Sequence, residues 1–195
     1  MNYDIIKKLG GRLYFTIEDF AGVAGITSAS ARVMCSRYVK NGTFIRIRND
    51  FYVLETSWNA YKSGEFMRLA NYLQVPSYVS LGTALAFYGL TTQVQRNYYE
   101  SVSLKRSMEY DVSGIFYKFY KLDRKYYFGF VKNENIFIAT REKAFLDSVY
   151  LVSFGKYSMD FSAVDTGKLD KKTLRKMSAA YPVKVKEEAF KLCRI

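Results

Sequence analysis

Apolar residues near the N-terminus recur at helical spacing and then switch to alternation. Ile5, Ile6 and Leu9 share one face of a first helix, which Asn2 can cap and Gly10-Gly11 ends. Thr16 is a natural N-cap for a second helix carrying Ile17, Phe20, Ala21 and Val23. Its first turn holds Glu18 and Asp19, where the helix dipole favours anions, and Gly25 breaks it. Thr27 or Ser28 caps a third helix, residues 29–40. Ala31, Cys35 or Met34, Tyr38 and Val39 form its apolar stripe, and Ser28, Arg32, Ser36, Arg37 and Lys40 lie opposite. Asn41-Gly42 stops this helix. Residues 43–48 then alternate, with Ile45 and Ile47 on one side and Phe44, Arg46 and Arg48 on the other. Asn49-Asp50 suits a tight turn with positive φ, and residues 51–54 return. This hairpin is predicted to bury Ile45 and Ile47 while showing Arg46 and Arg48 to solvent.

Two helices joined by a glycine-containing turn and followed by a basic hairpin predict a winged helix-turn-helix over residues 1–56. Residues 55–64 (ETSWNAYKSG) are polar, hold the only Trp, and read as a linker. Residues 65–195 form a second domain. Helices are predicted over 65–74, from a Ser80 cap through Tyr88, and from a Thr140 cap through Ala144, Phe145, Leu146, Val149 and Tyr150. Two more follow near 169–180 and 183–192. Strands are predicted at 98–104, 115–121, 126–131 and 136–139, with Asn133-Glu134-Asn135 turning the last pair. The fold class is therefore α+β: an N-terminal winged helix followed by a mixed domain with C-terminal helices.

Charge adds a partner to this picture. The chain of 195 residues carries a formal charge of +12, which favours a polyanionic partner, nucleic acid or an anionic membrane. The 18 Tyr and 15 Phe supply ample area for two small cores, and only two Pro occur. Cys35 and Cys193 are far apart and belong to no CxxC, so no zinc site or other metal centre is signalled and no cofactor is expected. The N-terminus lacks a secretory apolar region, and the longest near-apolar run, 78–90, is too short to cross a bilayer. A cytoplasmic protein with reduced thiols and no membrane association is expected.

A recognition helix needs small polar residues at its N-terminus for close approach, and Arg or Lys to reach guanine or phosphate. Ser28, Ser30, Arg32, Ser36 and Arg37 meet that need on one face. Lys40 and the hairpin's Arg46 and Arg48 suit backbone or minor-groove contacts. Residues 1–55 nevertheless carry only +3, eight basic against five acidic, whereas residues 56–195 carry +9, 22 against 13. Lys171, Lys172, Arg175 and Lys176 are the densest basic cluster in that second part and are candidates for additional DNA contacts.

Three other readings compete. Phe128-Gly129-Phe130-Val131 matches the middle of an RNA-binding strand motif, but Tyr127 and Asn133 replace residues the motif requires. An enzyme is disfavoured because no His occurs, no phosphate-binding glycine loop is present, and Glu100, Glu109, Asp111 and Asp123 are scattered. A winged helix can also serve purely as a protein-docking module.

The whole chain resembles the AbiEi family of type IV antitoxins. The stretch 15–54 is similar to that family's winged helix. PSYVSLGTALAFYGL (76–90) resembles its serine-and-alanine helix, and ATREKAFLDSVYL (139–151) its EKA-L-D helix. The closing segments LDKKTLRKM and VKEEAFKL fall where the family has helices. The resemblance implies a transcriptional autorepressor that binds inverted repeats of double-stranded DNA upstream of its own two-gene operon. It further implies an antitoxin whose C-terminal domain counters a nucleotidyltransferase toxin without a stable complex. Carried over, residues 28–40 are the recognition helix and 46–48 the wing. The wing turn departs from the family pattern in having Asp50 where Gly is usual. The residues Glu142, Lys143, Ala144 and Asp147 read as structural, with Asp147 pairing or capping inside the domain.

Overall fold

A computed structural model of the chain, describing residues 3–93 and 96–195, divides into two compact units. One comprises Met1–Leu69 with Val112–Gly114, the other Ala70–Asp111 with Ile115–Ile195. The cap expected at Asn2 lies outside the described residues. The architecture is α+β in both composition and order.

In the first unit, α1 (Tyr3–Gly10), α2 (Ile17–Ala24) and α3 (Ser28–Lys40) precede a hairpin of β1 (Phe44–Arg48) and β2 (Phe51–Leu54). Thr16 caps α2 in a reciprocal box: its Oγ1 accepts the Asp19 N–H at 3.1 Å, and Asp19 accepts the Thr16 N–H at 2.9 Å. Gly25, at φ 67°, ends the helix with a left-handed residue that an L side chain would strain. The core joins Leu9, Phe15, Phe20, Ala31, Cys35, Phe44, Tyr52 and Leu54.

Two expectations fail here. Phe44 is not a solvent-facing position: it is 1 % exposed, with its ring 4.9 Å from that of Phe15 and 5.6 Å from that of Phe20. Phe44 lies with Tyr52 and Leu54 on the hairpin side that meets the helical core, and α4 (Glu55–Ala60) packs against both strands as well. Simple alternation of buried and exposed positions does not apply. Second, residues 55–64 are not an extended linker. Trp58 is buried, its ring 5.1 Å from that of Phe66, and the Tyr61 hydroxyl donates to the Leu13 carbonyl at 2.8 Å. The division between units falls inside α5 (Ser63–Leu73), after Leu69.

The second unit is built on a six-stranded mixed sheet in the order β5-β6-β4-β3-β8-β7. Its strands are β3 (Ser77–Val79), β4 (Tyr98–Ser103), β5 (Met108–Val112), β6 (Ile115–Lys121), β7 (Phe130–Asn133) and β8 (Ile136–Ala139). β4 runs parallel to β6 and antiparallel to β3, and β3 runs parallel to β8. Strands β3 and β5 are not among those the sequence predicts. β7 also starts later than expected: Arg124–Tyr126 form a 3₁₀ turn, and Gly129 at φ 71° bends the chain before the strand. A Cβ at Gly129 would crowd the Met177 methyl and the Lys143 stem, and the positive φ is one that L side chains rarely adopt. Helix α6 (Leu81–Phe87) packs against β4 and against α7 (Arg141–Ser153), which α8 (Lys171–Ser178) and α9 (Val183–Cys193) then cover. Residues 142–151 of α7 are buried throughout, making it the central helix of this unit.

Candidate functional site

The polar face of α3 stands clear of the core. Thr27 supplies the cap, its Oγ1 accepting the Ser30 N–H at 3.2 Å. Ala31 and Cys35 point inward with no exposed surface, flanked by half-buried Met34, Tyr38 and Val39. This leaves Ser30, Arg32, Ser36, Arg37 and Lys40 exposed on the far side. Among the described residues, no ion pair engages Arg32, Arg37 or Lys40. Asp19 is instead paired with Arg12. Ser28 departs from this pattern. It is half-buried and donates to Glu18 Oε2 at 2.9 Å, so its hydroxyl faces α2 rather than outward.

The hairpin arginines also part company. Arg46 is exposed and bonds Asn49 Oδ1 across the turn. Arg48 is half-buried, its guanidinium 3.9 Å above the Phe51 ring, and its Nε is buried with no hydrogen-bond partner. The expectation that both stand in solvent fails for Arg48 because the pairing slips between Arg46 and Arg48, where Ile47 turns inward to 6 % exposure. Burial raises the Tyr52 hydroxyl pKa, with Cys35 and Asp50 adding to the rise and Arg46 and Arg32 acting to lower it. One guanidinium from α3 and one from the hairpin therefore lie within electrostatic reach of the same phenol. This arrangement is a cationic helix face beside a cationic ribbon, suited to a phosphate backbone.

Only Asp50 in the hairpin turn has positive φ (62°); Asn49 does not. The Asp50 carboxylate accepts the Ile17 N–H at 2.9 Å. In the second unit Lys171, Lys172, Arg175 and Lys176 are all exposed on α8, opposite buried Leu174 and Ser178. Arg175 lies 5.3 Å from the Phe190 ring.

Asp147 pairs inside its domain, as expected. It is fully buried against Lys143, which is equally buried. Asp147 Oδ2 accepts the Tyr78 hydroxyl at 3.0 Å and the Ser80 hydroxyl at 2.8 Å, and Oδ1 accepts Tyr181 at 3.1 Å. Ser80 thus spends its hydroxyl on Asp147 instead of capping α6. Burial pushes the Lys143 ammonium pKa down against the support of Asp147.

Glu100, one of the scattered carboxylates in the sequence, is a second buried one. It accepts the Tyr157 hydroxyl at 3.1 Å, and a Cβ at Gly82 would fall 2.8 Å from its Oε2. Burial pushes it up to about 7, opposed by hydrogen bonds from Tyr157 and from the Gly82 and Thr83 N–H groups. Residues 99–103 of β4 are all buried, and nothing local marks the partner 57 residues away.

Phe128 and Phe130 of the RNA-motif stretch are half-buried. Phe130 stacks on Tyr78 with ring centroids 4.7 Å apart, and Phe128 faces Tyr181 and the Lys143 ammonium. Cys35 and Cys193 are free and buried, and burial pushes both thiols up to about 11. Among the described residues, no three His, Cys, Asp or Glu side chains gather to hold a metal ion, and no helix is long and apolar enough to cross a membrane. Compared with known proteins, the chain matches no protein-family model and no curated protein, so its functional reading stands on its residues and their geometry.

Proposed function

We propose that this chain is a sequence-specific DNA-binding autorepressor that doubles as the antitoxin of a type IV system with a nucleotidyltransferase toxin. The observation that carries the DNA reading is the exposed face of α3. Ser30, Arg32, Ser36, Arg37 and Lys40 face outward without carboxylate partners among the described residues, next to a hairpin bearing Arg46. Two helices, a tight turn and a β-hairpin in that order support reading the N-terminal unit as a winged helix-turn-helix. In this reading α3 enters the major groove. Arg32, Arg37 and Ser36 sit near base edges, Ser30 and Lys40 near phosphates, and Arg46 on the adjacent backbone. Arg48 acts from beneath, through its stack on Phe51, and Ser28 contributes once its bond to Glu18 opens. The α8 cluster of Lys171, Lys172, Arg175 and Lys176 supplies further phosphate contacts.

The antitoxin half of the proposal rests on the resemblance of residues 76–90 and 139–151 to the AbiEi family, and it assigns no catalysis and no cofactor to this cytoplasmic chain. The test is a gel shift with the protein's own upstream DNA at two salt concentrations. Specific binding weakens steeply with salt, with a logarithmic slope of about −0.9 per phosphate neutralised. A protein-docking module shows neither a sequence-specific shift nor that slope. The Ser28–Glu18 bond and the small charge of residues 1–55 are the observations that favour this second reading. Co-expression with the neighbouring reading frame tests the antitoxin function through growth rescue.

A further inference from the structure

Asp50 is an acidic residue in the turn of a hairpin that, on the DNA-binding reading, must approach phosphate. On charge alone it is misplaced there, and at φ 62° glycine would be the easier choice for the backbone. Its surroundings explain both anomalies. Phe15 and Tyr52 pair antiparallel, Phe15 N–H to the Tyr52 carbonyl at 2.8 Å and Tyr52 N–H to the Phe15 carbonyl at 2.9 Å. Two residues further along each strand, the next partners in this ladder are Ile17 and position 50. The turn bends the backbone away at that point, and the Asp50 carboxylate takes over, accepting the Ile17 N–H at 2.9 Å. Ile17 opens α2, where N–H groups lack helical acceptors and the dipole favours an anion.

We propose that Asp50 is a positioning residue for DNA binding, tying the hairpin turn to the N-terminus of α2 and so holding Arg46 and Arg48 at a set angle to α3. The bond couples the turn to the same helix pair that carries the recognition face, and it engages the only acidic side chain of the turn, itself exposed, with the start of α2. The proposal rests on the DNA-binding reading above.

The test uses the full chain and two substitutions. Asp50→Gly suits the positive φ but removes the acceptor. Asp50→Asn also suits it and keeps an acceptor oxygen while removing the charge. Amide hydrogen exchange without DNA reads the tether directly. We expect Ile17 to be protected in the native protein, at least tenfold less protected in Asp50→Gly, and within about threefold of native in Asp50→Asn. Gel shifts on the upstream DNA then read positioning. Removing a carboxylate tightens phosphate binding if charge alone matters. We expect Asp50→Gly instead to weaken binding about tenfold and to lower the salt slope by about 0.9 for each phosphate that the hairpin ceases to neutralise. Asp50→Asn should keep the native slope. An unprotected Ile17 amide in the native protein overturns the tether, whether or not either variant folds. A loosened Ile17 in Asp50→Gly with native affinity and slope overturns its role in positioning. If the native protein shifts no DNA at all while Ile17 responds as expected, it is the DNA reading that has failed and the positioning role falls with it.

Discussion

Replacing Asp147 with Asn removes one charge from a fully buried pair and leaves the Lys143 ammonium without a counter-ion. Breaking such a pair from one side costs about 3–5 kcal/mol, a large share of the roughly 5–15 kcal/mol that holds a domain folded. The Asn side chain still offers an oxygen to the Tyr78 and Ser80 hydroxyls, so the loss is chiefly electrostatic. The folded variant can escape part of it by releasing the Lys143 proton. Burial already pushes that ammonium down, and Asp147 is what opposes the push. Without Asp147, folded Lys143 holds its proton less tightly than unfolded Lys143. The unfolded state then binds more protons, and stability rises with pH above neutrality. Guanidinium denaturation of the full chain, followed by circular dichroism at pH 7 and pH 9, measures both effects. The expected results are a loss of about 3–5 kcal/mol at pH 7 and a smaller loss at pH 9. The double substitution Lys143→Met with Asp147→Asn should recover about 2 kcal/mol or more, since no buried charge remains. A single-variant loss under about 1 kcal/mol, or a double variant no more stable than the single, would refute the view that this pair holds the second unit together.

Glu100 sets a pH dependence of opposite sign. Its folded carboxyl, pushed up to about 7 by burial, binds its proton more tightly than the unfolded one. Native stability should therefore fall as pH rises from about 4.5 to 7, by about 3 kcal/mol at most; Glu100→Gln should flatten that fall in denaturation series at pH 5 and 7.5. Arg37→Ala should weaken operator binding by about 1–3 kcal/mol and relax specificity if Arg37 reads a base, and competition gel shifts with altered operators will show whether discrimination disappears. Neutralising Lys171, Lys172, Arg175 and Lys176 together with Gln should leave sequence preference intact while lowering the salt slope by up to about 0.9 for each phosphate released. An unchanged slope removes α8 from the interface.

The parts of this fold legible in the sequence are those whose causes lie within a few residues. Thr16, Thr27 and Thr140 each accept an N–H three positions on, so the starts of α2, α3 and α7 can be read directly. The Glu134-Asn135 turn, with φ of 47° and 65°, is equally local. The alternation of Met108, Tyr110 and Val112 was also there to be read as β5. The exposed face of α3 follows from its stripe of Ala31 and Cys35, and Asp147's inward pairing was legible from its apolar helix.

What the tertiary structure alone decided are the contacts between distant segments. Phe44 is core because its side of the hairpin meets Phe15, Phe20 and Tyr38, and Trp58 anchors what composition presents as a linker. Asp50 reaches Ile17 across 33 positions, Glu100 meets Tyr157 across 57, and Asp147 meets Tyr78 across 69. Periodicity assigns a side chain to a face of its own element, and capping rules assign it to its own turn. Neither states which remote group will stand opposite once the elements pack, and at Asp50, Glu100 and Asp147 that remote group determines whether a carboxylate is a tether, a held proton or one half of a buried charge pair.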